Sequence, residues 1–385
     1  MLDFIGLEAL LGPTECEVGR ATRAFLEAEA APLMRQAWEK GEFPLDLVPK
    51  LGRQGLLGAS LPAAWGGGGA SAVAHGLIMY ELERIDSGLR SFASVQSSLV
   101  MYPIGRFGSE AQREATLARL GRGEAIGCFA LTESGGGSDP LGNMTTRARQ
   151  QEGGWVLSGS KIWITNGSVA DVAVVWAKDD AGEIRGFLVE RGTPGFSSRD
   201  IPRKMSLRAS VTSELFFDDV CLPAEAALPG AVGLKTVLAC LNEARYGIAW
   251  GSMGALEAVY SEALATAQSR STFGAPLAAR QLVQEKLARM LSDHARGTLL
   301  AWRLGRLKDD GQLRPAQISL AKRDNVRAAL AGARLAREIL GAAGICLDHD
   351  AIRHMLNLET VDTYEGAHDI HTLVLGRDIT GHSAF

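Results

Sequence analysis

The segment Trp155–Thr165, WVLSGSKIWIT, marks a change in the character of the chain, because β-branched and aromatic residues dominate this short run. Three runs of similar composition follow it, at 172–178 (VAVVWAK), 184–190 (IRGFLVE) and 214–222 (ELFFDDVCL). Turn-forming residues separate these runs and no helical pattern lies between them, which favours antiparallel pairing over a Rossmann-type sheet. The four runs together predict a small β domain, an antiparallel barrel or sandwich, over residues 126–228.

Helical patterns flank this β region on both sides. Residues 1–125 are rich in Ala, Leu, Glu and Arg, and Ser109 followed by Gln112 has the pattern of a capping box at a helix start. After Pro229, apolar residues recur every three or four positions, as on one face of a packed helix. Further amphipathic segments cover residues 280–308, 314–340 and 367–380. The predicted fold is mainly α with a central β domain, divided into an N-terminal helical domain (1–125), the β domain (126–228) and a C-terminal helical bundle (229–385).

Composition and charge argue against several classes of function. The chain has 385 residues, 46% of them hydrophobic, and a formal charge of −4 from 40 basic and 44 acidic residues. This balance gives no reason to expect nucleic acid or an anionic membrane as a partner. The five cysteines are scattered without a C-x-x-C pair, which indicates reduced thiols rather than disulfides or a zinc site. The N-terminal segment MLDFIGLEALLGPTE lacks the features of a signal or transit peptide, and no apolar run could span a bilayer, so we expect a cytoplasmic protein.

The segment Thr363–His371, TYEGAHDIH, allows three interpretations. His368 and His371 have a spacing compatible with a metal site, but no Glu-x-x-His or H-E-x-x-H motif accompanies them. A second interpretation is an ordinary helix start near Ala367, with polar side chains that cap or pack. The third is that Glu365 is a general base, because a carboxylate followed by glycine is unobstructed and apolar surroundings would raise its pKa. The residues of this segment alone leave all three open.

Two segments of the β region have features of a ligand site. In Gly127–Pro140, GCFALTESGGGSDP, three consecutive glycines free the backbone to approach a ligand, although the pattern is neither G-x-G-x-x-G nor a Walker loop. In Lys161–Gly167, KIWITNG, strand alternation predicts Trp163 and Thr165 on one face, an arrangement suited to a flat ring ligand. A plain turn and a core tryptophan explain the same residues without any ligand.

Arg245, Arg270 and Gln281 lie near apolar residues of predicted helices, in the segments ARYGIAWG and RSTFGAPLAARQ. An arginine on a packed helix face must form an ion pair or bind an anion, because an unpaired buried charge is costly. A surface salt bridge is the default explanation for either arginine.

In this order and over nearly the whole chain, these segments resemble the acyl-CoA dehydrogenases, flavoenzymes that oxidise CoA thioesters, and among them the glutaryl-CoA dehydrogenases. The resemblance also rests on ELERIDSGLRSFASVQSSLVMYPI (81–104), KMSLRAS (204–210), CLNEARYGIAWG (240–251), RSTFGAPLAARQL (270–282) and TYEGAHDIHTLVLGR (363–377). It implies an N-terminal helical domain, a middle β domain and a C-terminal four-helix bundle. It also implies FAD as cofactor, bound between the β domain and the bundle of a homotetramer.

The resemblance places the FAD contacts residue by residue. Thr165 matches the position near flavin N5, and Arg270 and Gln281 match positions that bind the diphosphate and adenosine portion, partly across a subunit boundary. The matched FAD residues are Phe129, Leu131, Thr132, Gly137, Ser138, Trp163, Ile164, Thr165, Arg270, Phe273, Gln281, Gly341, Ala367, His368 and Asp369. LGAAG (340–344) departs from the family's L-G-G-x-G and adds a methyl group where the backbone approaches FAD.

Glu365 matches the family's catalytic base. The carbon next to a thioester is weakly acidic, and its proton can be removed when preorganised donors stabilise the enolate oxygen. In the family those donors are the amide of the catalytic glutamate and a flavin ribityl hydroxyl, and a hydride leaves the β-carbon for flavin N5. The matched substrate residues are Glu83, Arg90, Ser91, Ser94, Ser138, Arg245, Tyr364 and Gly366.

The residues matched to the acyl pocket indicate which acyl group the substrate carries. On one helix, Glu83 and Arg90 would share a face two turns apart, and the simplest alternative is a weak exposed ion pair. In the resembling subfamily this arginine and Ser94 hold the distal carboxylate of glutaryl-CoA. Because Glu83 and Tyr364 are both present, we expect decarboxylation to crotonyl-CoA, a reaction of lysine and tryptophan degradation, with an electron-transferring flavoprotein as acceptor and no metal.

Three alternatives stay open. The first is a short-chain acyl-CoA dehydrogenase that does not decarboxylate its substrate. The second is an oxidase that passes electrons to oxygen, and the third is a helical scaffold that has the fold without the catalysis.

Overall fold

The computed structural model describes residues 1–140 and 142–384. The first part of the chain is helical, with α1 Pro13–Glu29, α2 Ala31–Lys40, α3 Val48–Arg53, α4 Ala72–Ile85, α5 Ser87–Ser94, α6 Tyr102–Phe107 and α7 Glu110–Gly121. A π-helical turn, Val95–Met101, joins α5 to α6. The capping box predicted at the start of α7 is confirmed, since the Gln112 N–H donates to Ser109 Oγ (3.2 Å) and the Ser109 N–H to Gln112 Oε1 (2.8 Å).

The central part is a mainly antiparallel sheet. Its strands are β1 Gly127–Ala130, β2 Arg147–Gln151, β3 Gly154–Thr165, β4 Val172–Lys178, β5 Ile184–Glu190, β6 Phe196–Asp200, β7 Thr212–Pro223 and β8 Ala227–Val232. The strand order is β6-β7-β3-β2-β4-β5-β8, and β1 pairs with β4. The predicted central β structure is confirmed, although β8 continues to Val232, past the expected end of the domain at residue 228. β1 runs parallel to β4, which its long connection to that strand allows, and β2 touches β4 in parallel at one residue pair.

The last part is again helical. It contains α8 Leu234–Ser269, α9 Gln281–Asp309, α10 Pro315–Leu340, α11 Asp350–Thr363 and α12 His368–Thr380, with a small hairpin of β9 Ser271–Thr272 and β10 Ala275–Pro276 between α8 and α9. α10 packs against α8, α9, α11 and α12. The periodicity did not predict α11, because its buried face carries Arg353, His354 and Asn357 among the apolar residues.

Short 3-10 turns complete the described structure, at Leu7–Leu10, Leu45–Leu47, Ala63–Trp65, Ala224–Ala226, Leu277–Ala279 and Gly341–Ile345. Three apolar clusters form the core. One joins the N-terminal helices to the C-terminal bundle, one joins the α5–α7 region to the sheet, and one lies within the β domain. In the described part of the chain, no helix has the length and apolar character required to cross a membrane.

The backbones of α4 and α8 approach each other closely. A Cβ atom at Gly254 would lie 1.9 Å from the carbonyl oxygen of Tyr80, so a side chain at this position would force the helices apart. Three residues earlier, a Cβ atom at Gly251 would lie 2.1 Å from Glu83 Oε2. Glycine at both positions therefore allows α4 to carry Glu83 into the interior beside α8.

A break between α4 and α5 corrects one expectation. Glu83 and Arg90 do not lie on one continuous helix, because Asp86 has an extended backbone (φ −165°) and caps α5 by accepting a hydrogen bond from the Gly88 N–H (2.7 Å). From α11, Arg353 forms an ion pair with Asp86, and Asn357 Nδ2 donates to Asp86 Oδ2 at 3.0 Å. This network fixes α5 relative to α11. The helix α11 ends at Thr363, two residues before Glu365.

Candidate active site

The turn between α11 and α12 has a demanding backbone conformation. Glu365 lies in the left-handed region with φ 53°, where side chains other than glycine are uncommon, and Gly366 follows with φ 92°. A Cβ atom at position 366 would also lie 2.8 Å from His371 Nε2, so only glycine fits. The turn Tyr364–Gly366 therefore joins α11 to α12 through two consecutive residues of positive φ, Glu365 and Gly366.

Two cations from the bundle hold the carbonyl groups of this turn. Arg245 Nε, from α8, donates to the Glu365 carbonyl oxygen at 2.7 Å. Lys322 Nζ, from α10, donates to the carbonyl oxygens of Tyr364 (3.0 Å) and Gly366 (2.8 Å). All three carbonyl groups of the turn are thus bound to positively charged side chains.

The Glu365 carboxyl group has the environment of a general base. Its Oε2 atom is inaccessible to solvent and has no hydrogen-bond partner among the described residues, although the residue as a whole is only half-buried. Burial raises the pKa of Glu365, while the positive charges of Arg90, Arg245 and Lys322 act against that rise. A carboxylate with a raised pKa is a stronger base than an exposed one, and cations nearby keep part of it ionised.

Beside this carboxyl group lies a buried polar cluster built by α4, α5 and the turn. Arg90 Nε donates to Glu83 Oε2 at 2.7 Å, and both side chains are fully buried (0% exposed). Arg90 Nη2 donates to the Tyr364 hydroxyl, which is also 2.8 Å from Ser91 Oγ. The alternative of a weak exposed Glu–Arg pair is therefore excluded. Burial raises the pKa of the Tyr364 hydroxyl, so this group stays protonated at neutral pH.

Several polar atoms of this region have no partner among the described residues. They are Glu83 Oε1, Arg90 Nη1, Ser94 Oγ and Glu365 Oε2, and each is inaccessible to solvent. Buried polar atoms are almost always hydrogen-bonded in folded proteins, so each unpaired one requires an explanation. A ligand that carries a carboxylate would satisfy the free guanidinium and hydroxyl donors.

The two histidines of the segment support the helix start. His371 is buried, with Nδ1 3.0 Å from Ser319 Oγ, and burial lowers its pKa to about 3. His368 Nδ1 accepts a hydrogen bond from Arg327 Nε at 3.1 Å, and Ala367 is the N-cap residue of α12. Asp369 is exposed in the first turn of that helix. Within residues 1–140 and 142–384, no group of three or more His, Cys, Asp or Glu side chains is arranged to hold a metal ion.

A second group of predicted site residues lies on the β domain. The register between β3 and β7 shifts between Lys161 and Ile164, and Trp163 there has φ 63° and a side chain that is 58% exposed. Ile164 is buried in the core of the β domain, and Thr165 is half-buried, so the bulge at Trp163 interrupts the regular alternation on which the prediction rested. A bare aromatic ring beside a hydroxyl is suited to a flat ring ligand.

The loop after β1 is attached to β3 by a buried ion pair that sequence reasoning missed. Lys161 Nζ is 2.9 Å from Glu133 Oε1 and donates to the Leu131 carbonyl oxygen at 3.0 Å. Glu133 also accepts hydrogen bonds from the backbone N–H groups of Thr145 (2.6 Å) and Thr146 (3.0 Å). Burial acts to raise the pKa of Glu133, but Lys161 and the two threonine hydroxyls outweigh it and lower that pKa to about 2.

The predicted FAD residues near this ion pair divide into buried and exposed ones. Phe129 and Leu131 are buried, and the half-buried Thr132 accepts a hydrogen bond from the Ile162 N–H at 2.8 Å through its carbonyl oxygen. Gly137 and Ser138 are exposed, and a Cβ atom at Gly137 would meet no atom within 4 Å. The surface above this loop is open to a ligand.

A third group lies where α8, α9 and α10 end or begin. Arg270 Nη1 donates to the Leu340 carbonyl oxygen at 3.2 Å, next to Gly341 with φ 66°. Phe273 has φ 50° and is 99% exposed, and Gln281 is exposed at the first position of α9. No hydrogen bond among the described residues joins this group to Trp163 and Thr165. Ala342, the departure from the family pattern, is exposed beside it.

Lys322 is the principal site residue that the sequence analysis did not identify. A signal exists in the sequence, because Lys322 lies between Ile318 and Val326 at helical spacing, in the middle of the buried face of α10. A cation on a buried helix face needs oxygen partners, but the spacing could not tell which carbonyl groups those would be.

Comparisons with known proteins agree with the three-part fold. The chain matches the family models described as acyl-CoA dehydrogenase N-terminal domain (residues 13–124), middle domain (128–220) and C-terminal domain (231–380). A helical N-terminal domain, a middle β domain and a C-terminal helical bundle, in this order, correspond to the three matched family models. The chain belongs to the acyl-CoA dehydrogenase family.

Three individual relatives show which members of the family this chain resembles. The mitochondrial short-chain specific acyl-CoA dehydrogenase of Bos taurus is 36% identical over 366 residues, which is 94% of this chain and 87% of that protein. A crystal structure of glutaryl-CoA dehydrogenase from Mycobacterium smegmatis is 50% identical, with a TM-score of 0.97 over 100% of this chain and 98% of that one. A structure of a glutaryl-CoA dehydrogenase from the same organism in complex with FADH2 is 49% identical, with a TM-score of 0.98 over 100% and 99%.

Proposed function

We propose that the chain catalyses the FAD-dependent oxidative decarboxylation of glutaryl-CoA to crotonyl-CoA and carbon dioxide. The observation that carries this proposal is the fully buried Arg90, whose Nη1 has no partner among the described residues and whose neighbour Ser94 has a free hydroxyl. A buried guanidinium is costly in a pocket for a purely apolar acyl chain, but it binds a carboxylate strongly. Similarity to two glutaryl-CoA dehydrogenase structures supports the same substrate.

FAD is the cofactor of this family, and the described residues fit it. Trp163 and Thr165 offer an exposed ring and a hydroxyl on β3, and the open backbone at Gly137 leaves space above the loop after β1. We propose that these residues hold the flavin, with Phe129, Leu131, Thr132, Ser138 and Ile164 around it and Ala367, His368 and Asp369 at the start of α12. When bound, FAD accepts the hydride from the β-carbon of the acyl chain.

In the first step Glu365 removes a proton from the carbon next to the thioester. Its unpaired Oε2 and its raised pKa suit it to this task. The negative charge that develops on the thioester oxygen needs donors in fixed positions, and we assign one of them to the Glu365 N–H, whose turn is held by Arg245 and Lys322. Ser138 and Gly366 belong to the same proposed substrate site.

In the second step the unsaturated product loses its distal carboxylate. Arg90 and Ser94 hold that carboxylate, and the Tyr364 hydroxyl, which lies 2.8 Å from Ser91 Oγ, accepts a hydrogen bond from the guanidinium. The electrons of the broken carbon–carbon bond move into a dienolate that ends on the thioester oxygen. The Glu365 carboxyl group, protonated in the first step, returns a proton to the terminal carbon, which gives crotonyl-CoA.

A second candidate is a short-chain acyl-CoA dehydrogenase without decarboxylation. The name of the Bos taurus relative, 36% identical, favours it. In that case Arg90 would serve only to pair with Glu83, and butyryl-CoA would be preferred.

Turnover of glutaryl-CoA and butyryl-CoA, with and without Arg90, separates the two candidates. We expect wild type to reduce its flavin with glutaryl-CoA under anaerobic conditions and to release carbon dioxide. Arg90→Met should lose most of the preference for glutaryl-CoA, and Arg90→Lys, which keeps the charge but not the two-pronged geometry, should keep part of it. Accumulation of glutaconyl-CoA without gas, or an Arg90→Met protein with unchanged preference, would contradict the proposal.

The partners follow from the same family likeness. We propose an electron-transferring flavoprotein as acceptor and a homotetramer, in which Arg270 and Gln281 bind FAD partly across a subunit boundary. Phe273 and Gly341 are further proposed FAD contacts. The exposed ring of Phe273 supports the tetramer, because a bare aromatic side chain is suited to an interface. We also propose a cytoplasmic location and a role in lysine and tryptophan degradation.

A further inference from the structure

Lys322 has an unusual position for a lysine. Its side chain is 1% exposed, and its Nζ donates to the backbone carbonyl oxygens of Gly366 (2.8 Å), Tyr364 (3.0 Å) and Asp362 (3.4 Å). It forms no ion pair within 4 Å among the described residues. An ammonium group has three donors, so backbone carbonyl groups occupy its whole capacity. Every one of these carbonyl groups belongs to the end of α11 or to the turn that carries Glu365.

We propose that Lys322 is a positioning residue that directs the N–H of Glu365 toward the thioester oxygen of the substrate. This inference rests on the proposed function, in which that N–H stabilises the enolate. The physical basis is the planar trans peptide unit, in which the carbonyl group of one residue and the N–H of the next point in opposite directions. Because Lys322 fixes the Tyr364 carbonyl group, it also fixes the direction of the Glu365 N–H.

The other carbonyl groups of the turn are held in the same way. Arg245 Nε binds the Glu365 carbonyl oxygen at 2.7 Å, which sets the direction of the Gly366 N–H. Lys322 binds the Gly366 carbonyl oxygen at 2.8 Å, which sets that of the Ala367 N–H. The Glu365 N–H donates no hydrogen bond to any described residue, so this donor has no partner within the described part of the chain.

The backbone of Glu365 needs such support. Its φ of 53° is unfavourable for a residue with a Cβ atom, and such conformations persist only where the surroundings enforce them. Lys322 reaches the turn from α10, a long packed helix, so the restraint comes from the rigid bundle and not from the turn itself.

The charges around Lys322 are consistent with this role. Burial lowers its pKa to about 7, opposed by the carboxylates of Glu365 and Asp362. The charged and titratable groups that face it are Glu365 and Asp362 near the turn, Arg245 on α8, Arg90 on α5 and His371 on α12. Lys322 and Glu365 therefore favour each other's charged forms. Lys322 thus acts both on the backbone of the turn, through hydrogen bonds, and on the Glu365 carboxyl group, through its charge.

A simpler role is also consistent with these contacts. Asp362 is in the last turn of α11, and a lysine at a helix C-terminus often binds carbonyl groups without any catalytic consequence. The two roles differ in whether removal of the lysine changes the stabilisation of an enolate or only the stability of the protein.

The test is the binding of acetoacetyl-CoA to the FAD-loaded enzyme. The enolate of this 3-oxo thioester places negative charge on the thioester oxygen and absorbs in the ultraviolet, so its fraction can be titrated against pH without turnover. In Lys322→Met we expect the apparent pKa of the bound ligand to rise by about one unit, a tenfold loss of enolate stabilisation. Crotonyl-CoA forms no enolate, so its affinity for Lys322→Met should differ from its affinity for wild type by less than about threefold.

Two further variants complete the design. Lys286→Met removes a half-exposed lysine that pairs with Glu338 on the surface, and should leave the titration unchanged. Lys322→Gln keeps N–H donors without the charge, so the apparent pKa of bound acetoacetyl-CoA should rise by an intermediate amount. This variant replaces Lys322→Met in the test if the Lys322→Met protein does not fold. A Lys322 variant that titrates its ligand like wild type overturns the inference. If wild-type protein itself does not bind acetoacetyl-CoA as the enolate, the proposed function fails instead.

Discussion

At the scale of single residues, the properties of Glu365 follow from opposing effects. Burial favours the neutral carboxylic acid, and three cations, on Arg90, Arg245 and Lys322, favour the carboxylate. The net result is a raised pKa, which strengthens the carboxylate as a base and makes the acid form accessible as a proton donor. The proposed reaction uses both forms in turn.

The pH dependence of flavin reduction should report this raised pKa. Only the carboxylate can remove the proton, so the rate falls as pH is lowered through the pKa of Glu365. Because that pKa lies above the ordinary 4.5, the loss begins at a higher pH than for an exposed glutamate and amounts to about tenfold per pH unit below the pKa. The measurement is kcat/KM for glutaryl-CoA across the acid range, and a profile that stays flat down to pH 4.5 would contradict the assignment.

Gly251→Ala should disturb the Glu83–Arg90 pair without removing a charge. The new Cβ atom would lie 2.1 Å from Glu83 Oε2, so this carboxylate must move away from Arg90 Nε. We expect the preference for glutaryl-CoA over butyryl-CoA to fall by about tenfold and the protein to lose about 1–3 kcal/mol of stability. The control is Gly247→Ala, one turn earlier, whose Cβ atom would meet the flexible Met79 side chain at 3.1 Å. Equal substrate preference in both variants would show that the geometry of the pair does not set specificity.

At the scale of elements, the site depends on how α4, α5 and α11 meet at Asp86. This residue ends α4, caps α5 and binds Arg353 and Asn357 of α11. α5 carries Arg90, and α11 leads to Tyr364. The buried Asp86 carboxylate binds both helices, so it sets the position of Arg90 relative to Tyr364 in the proposed acyl pocket.

Asp86→Asn should therefore destabilise the protein strongly. Asparagine still caps a helix, but it leaves Arg353 buried without its main counter-charge, which costs about 3–5 kcal/mol. The control is Asp350→Asn, which removes a half-exposed partner of the same arginine and should cost about 1 kcal/mol or less. Urea unfolding of both variants measures the difference, and similar losses would contradict the central role of Asp86.

The elements also show what sequence reasoning can and cannot predict. β4 and β5 were predicted to the residue, because continuous β-branched and aromatic runs specify buried strands on their own. β2, RARQQ, and β6, FSSRD, were missed, because their mostly exposed polar residues become strands only through pairing with β3 and β7. The break at Asp86 was missed for a related reason, since its main partners come from α11, far along the chain.

The same distinction applies to the site. The glutamate, its glycine and the helix start at Ala367 follow from one short segment, and the structure has that helix at His368–Thr380. Lys322 and Arg245 hold the turn from two other helices, and only the packing of the bundle brings them to it. Sequence patterns within one element cannot contain that information.

At the scale of the whole molecule, part of the predicted FAD site faces away from the rest of the chain. Phe273 is 99% exposed, and its left-handed backbone is unfavourable for an aromatic residue. In the proposed tetramer, a second copy of the chain would cover this ring.

Phe273→Asn should weaken the proposed tetramer and lower FAD content together. Asparagine tolerates the left-handed backbone, so the hairpin between α8 and α9 keeps its shape while the ring is lost. Light scattering and the ratio of flavin to protein absorbance measure the two effects. The control is Phe4→Asn, which removes another exposed ring, 72% exposed, near the N-terminus. A Phe273→Asn protein that stays fully loaded and of unchanged mass would contradict the proposed subunit arrangement.

The most direct test of the whole account is anaerobic flavin reduction by glutaryl-CoA in Glu365→Gln, on protein shown to be fully loaded with FAD. Glutamine keeps the size of the side chain and cannot accept the proton, so we predict a rate lower by about 10²–10⁴-fold with substrate affinity retained. Reduction of the flavin at the wild-type rate would contradict the assignment of Glu365 as the base.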